Sequence, residues 1–266
     1  MKKCAFCTRD ADSPEHIFSD WMIELLPPKE RYICNERIVS RDEYIRYPRR
    51  KIKFVARSVC TPCNNGWMSD LEGALRSVIG DVLVGNWGAI KVFTPQQQKV
   101  IAEFAFKTLV LANHKDLGGN RPFFTGAQRF LFRRELAIPP GVSVFMAVRE
   151  HVPGKYRGFW KSVSGDTKNK RVSYNWSMYS CTWNFQNIVL QAVATKWKRH
   201  TYRKSYVPIT FPEFDEWRPA SVAIWPPNGA DLDWPPDYCL GDDSLSSYRD
   251  RFGNVDVRLR MPPRMT

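Results

Sequence analysis

The chain has 266 residues, 43% hydrophobic and 14% aromatic, which supplies ample core material and excludes a disordered chain. Forty Lys and Arg against 27 Asp and Glu give a formal charge of +13, so a polyanionic partner, nucleic acid first, is the natural expectation. The most apolar stretch, "VIAEFAFKTLVLA", is interrupted by Glu103 and Lys107 and is too short to span a bilayer.

The start leads straight into charged and polar residues without the apolar segment of a secretory signal, so a cytoplasmic protein without membrane association is expected. Seven cysteines, an odd number in a chain of this size, argue against a full disulfide framework and for a metal site in a reducing compartment.

In chain order, the first 85 or so residues alternate short strand-like runs with turns and then enter a helix from about Cys63, "CNNGWMSDLEGALRSVIG". Trp67, Leu71, Leu75 and Val78 recur at helical spacing, and Gly80 is the expected stop. A second helix opens with Thr94 as N-cap and Pro95 at its first position. Its broad apolar face carries Val100, Ile101, Phe104, Lys107, Thr108 and Leu111, and it continues to about Asn113.

From "AQRFLFRREL" onward the pattern changes to strands, among them "VSVFMAVRE", "YRGFWKSVS", "RVSYNWSMYSCTW" and "FQNIVLQAVATKW". Seven of the ten tryptophans lie beyond residue 150, as the core of an antiparallel sheet requires. "IWPP" at 224–227 and "DWPP" at 233–236 mark two ordered loops. The expected fold class is α+β, in three parts: a zinc-stapled module over 1–85, a helical connector over 86–136 and an antiparallel β-rich region over 137–266.

Cys4 and Cys7 form one CxxC pair, Cys60 and Cys63 another. Two residues between thiolates let a tight turn aim both sulfurs at one point, so the pairs together make a closed tetrahedral site for structural Zn²⁺. The interval between the pairs is longer than the roughly 15–20 residues of a compact ribbon and must hold structure of its own. Cys34, Cys181 and Cys239 remain as free thiols.

Within that interval "SPEHIF" sets Glu15 beside His16, and Asn64 follows Cys63 without a spacer. This order resembles the HNH (ββα-metal) endonucleases of the four-cysteine, endonuclease VII type. The string "CNNGWMSDLE" is also similar to segments of phage and bacterial proteins described as HNH-like. The resemblance covers well under half the chain.

It implies a ββα-metal module in which a zinc-stapled hairpin and helix frame a second, catalytic metal. Glu15 matches the acidic metal ligand, His16 the general base and Asn64 the final ligand, while Cys4, Cys7, Cys60 and Cys63 match the zinc ligands. The implied activity is hydrolysis of DNA phosphodiester bonds. Oxygen donors at Glu15 and Asn64 suit Mg²⁺ or Mn²⁺, and an imidazole titrating near pH ~6.5 is neutral enough around pH 7 to accept a proton from water.

Adjacent residues on a regular strand point to opposite faces, so the chain must end or bend its strand at Glu15–His16, and Pro14 favours such an irregularity. The family's middle Asn has no clear counterpart: Asn35 is the one candidate by sequence, with Ser58 or a backbone carbonyl as alternatives for holding the imidazole. Ser69 and Glu72 match a capping-box spacing, giving Glu72 a structural role or one beside the metal ligands.

Arg46, Arg49, Arg50, Lys51, Lys53 and Arg57 form a basic arm suited to phosphate contacts. "TKWKRHTYRK" at 195–204 is a second basic aromatic patch that includes His200. A zinc-stapled nucleic-acid-binding module without catalysis has equal need of the cysteines, and a protein-binding role for the C-terminal sheet is a third alternative.

Overall fold

The computed structural model describes residues 2–26, 32–38, 43–49, 55–83, 91–115, 122–150, 158–168, 175–198 and 220–250, with the backbone alone at 32–38, 43–49, 115, 158–168, 175, 176, 197, 198 and 250. It is a mixed helix and sheet protein whose sheets are antiparallel.

After a first turn closed by Cys4 N–H donating to Arg9 O at 2.8 Å, β1 (Ser13–His16) pairs antiparallel with β4 (Val55–Val59). Between them lie α1 (Asp20–Glu24) and a hairpin of β2 (Tyr32–Ile38) and β3 (Glu43–Arg49), so the long interval between the cysteine pairs does contain structure of its own. The chain then turns through α2 (Thr61–Cys63) and a wide turn over Asn64–Met68, kinked at Gly66, into α3 (Ser69–Leu83). Gly80 does not stop this helix, because Val82 and Leu83 still bury apolar side chains beyond it.

Short strand β5 (Lys91–Phe93) leads into α4 (Pro95–Lys115), which begins where the Thr94–Pro95 signal places it. The Thr94 backbone N–H donates to Gln97 Oε1 at 2.9 Å, while Gln97 N–H donates to Thr94 Oγ1 at 3.4 Å, a reciprocal cap. From Ile101 to His114 every side chain of α4 is buried. A helix buried all round is a central helix. Accordingly α4 packs against α3 and β4, and also against strands of the large sheet.

"AQRFLFRREL" belongs to α5 (Gly126–Glu135), not to the strand run. Thr125 and Gln128 form a capping box at its start, and that local hydrogen bonding outweighs the aromatic content of the segment. The large sheet has the order β10-β6-β9-β8-β7, built from β6 (Val142–Val148), β7 (Gly158–Lys168), β8 (Asn175–Phe185), β9 (Ile188–Lys198) and β10 (Ser221–Trp225). The expected strands are therefore present. Strand β11 (Leu232–Trp234) pairs with β5, and α6 (Asp242–Asp250) closes the described chain. Each tryptophan-proline motif sits at the end of a strand, β10 or β11.

One continuous core runs from Cys4 through α3 and α4 to Trp234. Phe18 meets Phe185 of β8 with ring centroids 5.4 Å apart, so the cysteine region and the sheet share apolar surface. Lys196 of the second basic patch lies over the Phe123 ring at 4.0 Å; His200 and the rest of that patch beyond Lys198 lie outside the described residues.

His114, near the end of α4, is buried, and burial together with the nearby Arg129 and Lys2 charges pushes its pKa down to about 4. A folded-state pKa below the unfolded value favours folding above pH ~6.5 and loses that contribution as pH falls toward ~4, a change of up to about 3 kcal/mol. Urea denaturation at pH 7 and pH 4.5 is expected to show His114→Gln losing less stability on acidification than wild type.

Candidate functional site

Cys4, Cys7, Cys60 and Cys63 are all buried, and their sulfurs lie within 4.8 Å of one another. Tetrahedral bonds of about 2.3 Å separate sulfurs by about 3.8 Å. The Cys7–Cys60 and Cys63–Cys7 sulfurs are 3.5 and 3.8 Å apart, too far for a disulfide and right for ligands of one ion. The four cysteines can hold a zinc ion. Among the described residues no other group of three or more His, Cys, Asp and Glu side chains is close enough to share a metal.

Local bonding explains why the sulfurs converge. Ala5 N–H donates to Ser58 O at 2.7 Å, joining the first knuckle to β4, and the N–H groups of Cys63 and Asn64 both donate to Cys60 O at 3.0 Å. Asp12 accepts from the Thr61 N–H at 2.7 Å and its hydroxyl at 3.1 Å, capping the helix that carries the second pair. Phe6 meets Trp67 edge-on at 5.1 Å, and Trp67 meets Phe132 of α5 at 5.6 Å. The contact between the Cys4 and Cys63 sulfurs pulls the Cys4 thiol down and pushes Cys63 up.

Asn64, directly after the last cysteine, crosses to the first segment. Its Nδ2 donates to Ser13 Oγ at 2.8 Å and to Pro14 O at 3.1 Å. Pro14 O belongs to the peptide that joins Glu15, so the second CxxC brings Asn64 to the Glu15–His16 dipeptide. Anchored through its nitrogen, the amide has an oxygen without a hydrogen-bond partner among the described residues.

The strand is irregular where the dipeptide needs it: the β1–β4 register shifts between Ser13 and Glu15, and β1 ends at His16. The two side chains still part. Glu15 turns inward and is 4% exposed, whereas His16 is partly exposed and its Nδ1 lies 3.4 Å from Asp20 Oδ1.

Glu15 has a partner that spacing did not assign to it. Fully buried Lys107 of α4 donates to Glu15 Oε1 and to Glu72 Oε1, each at 2.7 Å. Burial opposes the ammonium, but the two carboxylates outweigh it and raise its pKa, so Lys107 stays charged. Burial, helped by the Glu72 charge, pushes Glu15 above the usual carboxylate range despite the Lys107 ammonium. Glu72 is thereby placed beside Glu15 through Lys107, and Ser69 lies where one helical run passes into the next instead of at a free helix end.

Ser58, one of the alternatives for holding the imidazole, has its Oγ engaged elsewhere, accepting from Lys2 Nζ at 3.0 Å. Asn35 stands across the hairpin from Arg46, and its side chain is outside the described residues. Asp20, four residues after His16, is the group beside the imidazole. Of the basic arm, Arg57 is exposed on β4; Arg46 and Arg49 lie on β3 with backbone alone described, and Arg50, Lys51 and Lys53 lie outside the described residues.

An open groove of about 680 Å³ borders the knuckle, lined by Pro62, Trp67, Phe130, Leu131, Arg133 and Arg134 among others. Among the described residues no helix is long and apolar enough to cross a membrane. No protein family, curated protein or solved structure matches the chain.

Proposed function

We propose that the chain is a zinc-stapled endonuclease of the HNH kind that hydrolyses DNA phosphodiester bonds with a divalent cation at Glu15 and Asn64. The observation that supports this is the pair of hydrogen bonds from Asn64 Nδ2 to Ser13 Oγ and Pro14 O, which hold the residue after the last cysteine against the segment that leads into Glu15 and His16. The donor set suits a hard ion. Asn64 offers Oδ1, and a carboxylate has two oxygens, of which the Lys107 pair uses Oε1.

When bound, Mg²⁺ or Mn²⁺ supplies charge neutralisation at the phosphate and leaving oxygen. The protein's own groups do the rest. His16, with Nδ1 turned to Asp20, keeps Nε2 for the proton of an attacking water, and the Asp20 carboxylate stabilises the imidazolium that results. Asp20 thus takes the orienting role for which the sequence offered Asn35 or Ser58. Arg57 and the rest of the arm, Arg46, Arg49, Arg50, Lys51 and Lys53, contribute phosphate contacts that weaken with salt. A reducing, cytoplasmic setting suits the thiol cluster.

The test is cleavage of supercoiled plasmid and of duplex, single-stranded and branched DNA by protein of verified zinc content, with Mg²⁺, Mn²⁺ or EDTA. Wild type is expected to cleave only with the divalent ion, and His16→Ala to be slower by about 10²–10⁴-fold. Complete inactivity of zinc-loaded protein on every DNA form favours the second reading, a nucleic-acid-binding module. That reading is supported by the groove in which Trp67, Phe130, Arg133 and Arg134 flank the knuckle.

A further inference from the structure

Among the described residues, Lys107 is a lysine with no exposed side-chain surface. It is a cation at 0% exposure in the middle of the central helix, donating 2.7 Å hydrogen bonds to carboxylates from two other elements, Glu15 of β1 and Glu72 of α3. A buried ammonium is costly unless its partners are close and well oriented, and its Nζ also stands 4.8 Å from the centroid of the Phe104 ring. The position is not a peripheral brace. Glu15 is the acidic ligand of the site proposed above, and the oxygen that Lys107 engages belongs to that carboxylate.

We propose that Lys107 is a positioning residue for the oxygen-ligand site: its ammonium fixes the Glu15 carboxylate and, as a resident positive charge, sets how tightly a divalent cation binds there, with Glu72 sharing the ammonium. This rests on the assignment of Glu15 and Asn64 as ion ligands. Two carboxylates and one ammonium leave the cluster with a single net negative charge. Removing the ammonium doubles that charge, whereas neutralising Glu72 cancels it. Each unit of charge beside a carboxylate ligand changes that ligand's attraction for a dication.

The probe is Mn²⁺ binding to the zinc-loaded full chain, followed through the electron paramagnetic resonance signal of free Mn²⁺. Compared with wild type, Lys107→Met is expected to bind Mn²⁺ about tenfold or more tightly, Lys107→Arg to bind like wild type because the charge is kept, and Glu72→Gln to bind more weakly. Adding Glu15→Gln to Lys107→Met is expected to abolish the gain.

Equal affinity across the folded variants, or a gain that survives Glu15→Gln, overturns the proposal. If Lys107→Met fails to retain zinc, Glu72→Gln decides alone: weaker binding supports the proposal and unchanged binding overturns it. Cleavage assays on the same preparations separate the two ideas. Affinity that follows charge in a protein cutting no DNA keeps Lys107 in this role and ends the nuclease assignment. Active protein whose affinity ignores Lys107 does the reverse.

Discussion

Zinc removal, or Cys63→Ser, is expected to unfold the N-terminal part of the chain, lowering the melting temperature sharply and exposing the cluster's thiols, four in the first case and three in the second, to a thiol reagent. Structural zinc contributes an apparent ~10–16 kcal/mol in small zinc-dependent folds, comparable with or larger than the ~5–15 kcal/mol stability of a typical domain. The elements nearest the cysteines are short: β1 has four residues and α2 has three. The contrast lies within the protein. Cys239 is exposed and belongs to no cluster among the described residues, so Cys239→Ser is expected to stay within about 0.5 kcal/mol of wild type. If Cys63→Ser melts like Cys239→Ser, the four-cysteine site is dispensable.

Glu15→Ala is expected to cost about 3–5 kcal/mol in chemical denaturation, before any effect on activity. The substitution leaves the fully buried Lys107 ammonium with Glu72 alone, and Glu72 is 20% exposed, so water competes for it. Glu72→Ala is expected to cost less, because Glu15 remains beside Lys107 at 5% side-chain exposure. Replacing all three residues together, as Glu15→Leu, Lys107→Met and Glu72→Leu, is expected to recover most of the loss, since an apolar trio leaves no unpaired charge. That triple variant is expected to fold, to keep its zinc and to bind no Mn²⁺ at the oxygen-ligand site, which separates stability from ligand chemistry. A Glu15→Ala protein as stable as wild type would show the triad to be loose.

The sequence made the cysteine pairs, the start of the central helix and the strands of the large sheet legible because each rests on local rules: spacing of thiolates, a Thr-Pro cap and alternation of side chains. Pairings between distant segments were not legible. Glu15 and Lys107 are 92 positions apart, and nothing in either neighbourhood names the other. A partial signal existed in the stripe of Val100, Phe104, Lys107 and Leu111: a lysine in register with a buried apolar face needs a counter-charge.

The roles of Asp12 and Asp20 are hidden in the sequence for a related reason. Asp12 caps a helix that begins at Thr61 in another segment, and Asp20 approaches His16 only because β1 ends there and α1 starts four residues later. The helix at "AQRFLFRREL" was obscured by its aromatics, although Thr125 and Gln128 carried a capping-box signature.

The most direct measurement is anomalous diffraction from crystals of the zinc-loaded protein soaked in Mn²⁺. One peak is predicted among the sulfurs of Cys4, Cys7, Cys60 and Cys63, and a second at coordination distance from a Glu15 carboxylate oxygen and Asn64 Oδ1, with the His16 ring beside it. Manganese bound elsewhere, or Glu15 engaged by Lys107 alone at saturating Mn²⁺, would contradict a cysteine-built scaffold for an oxygen-ligated second cation.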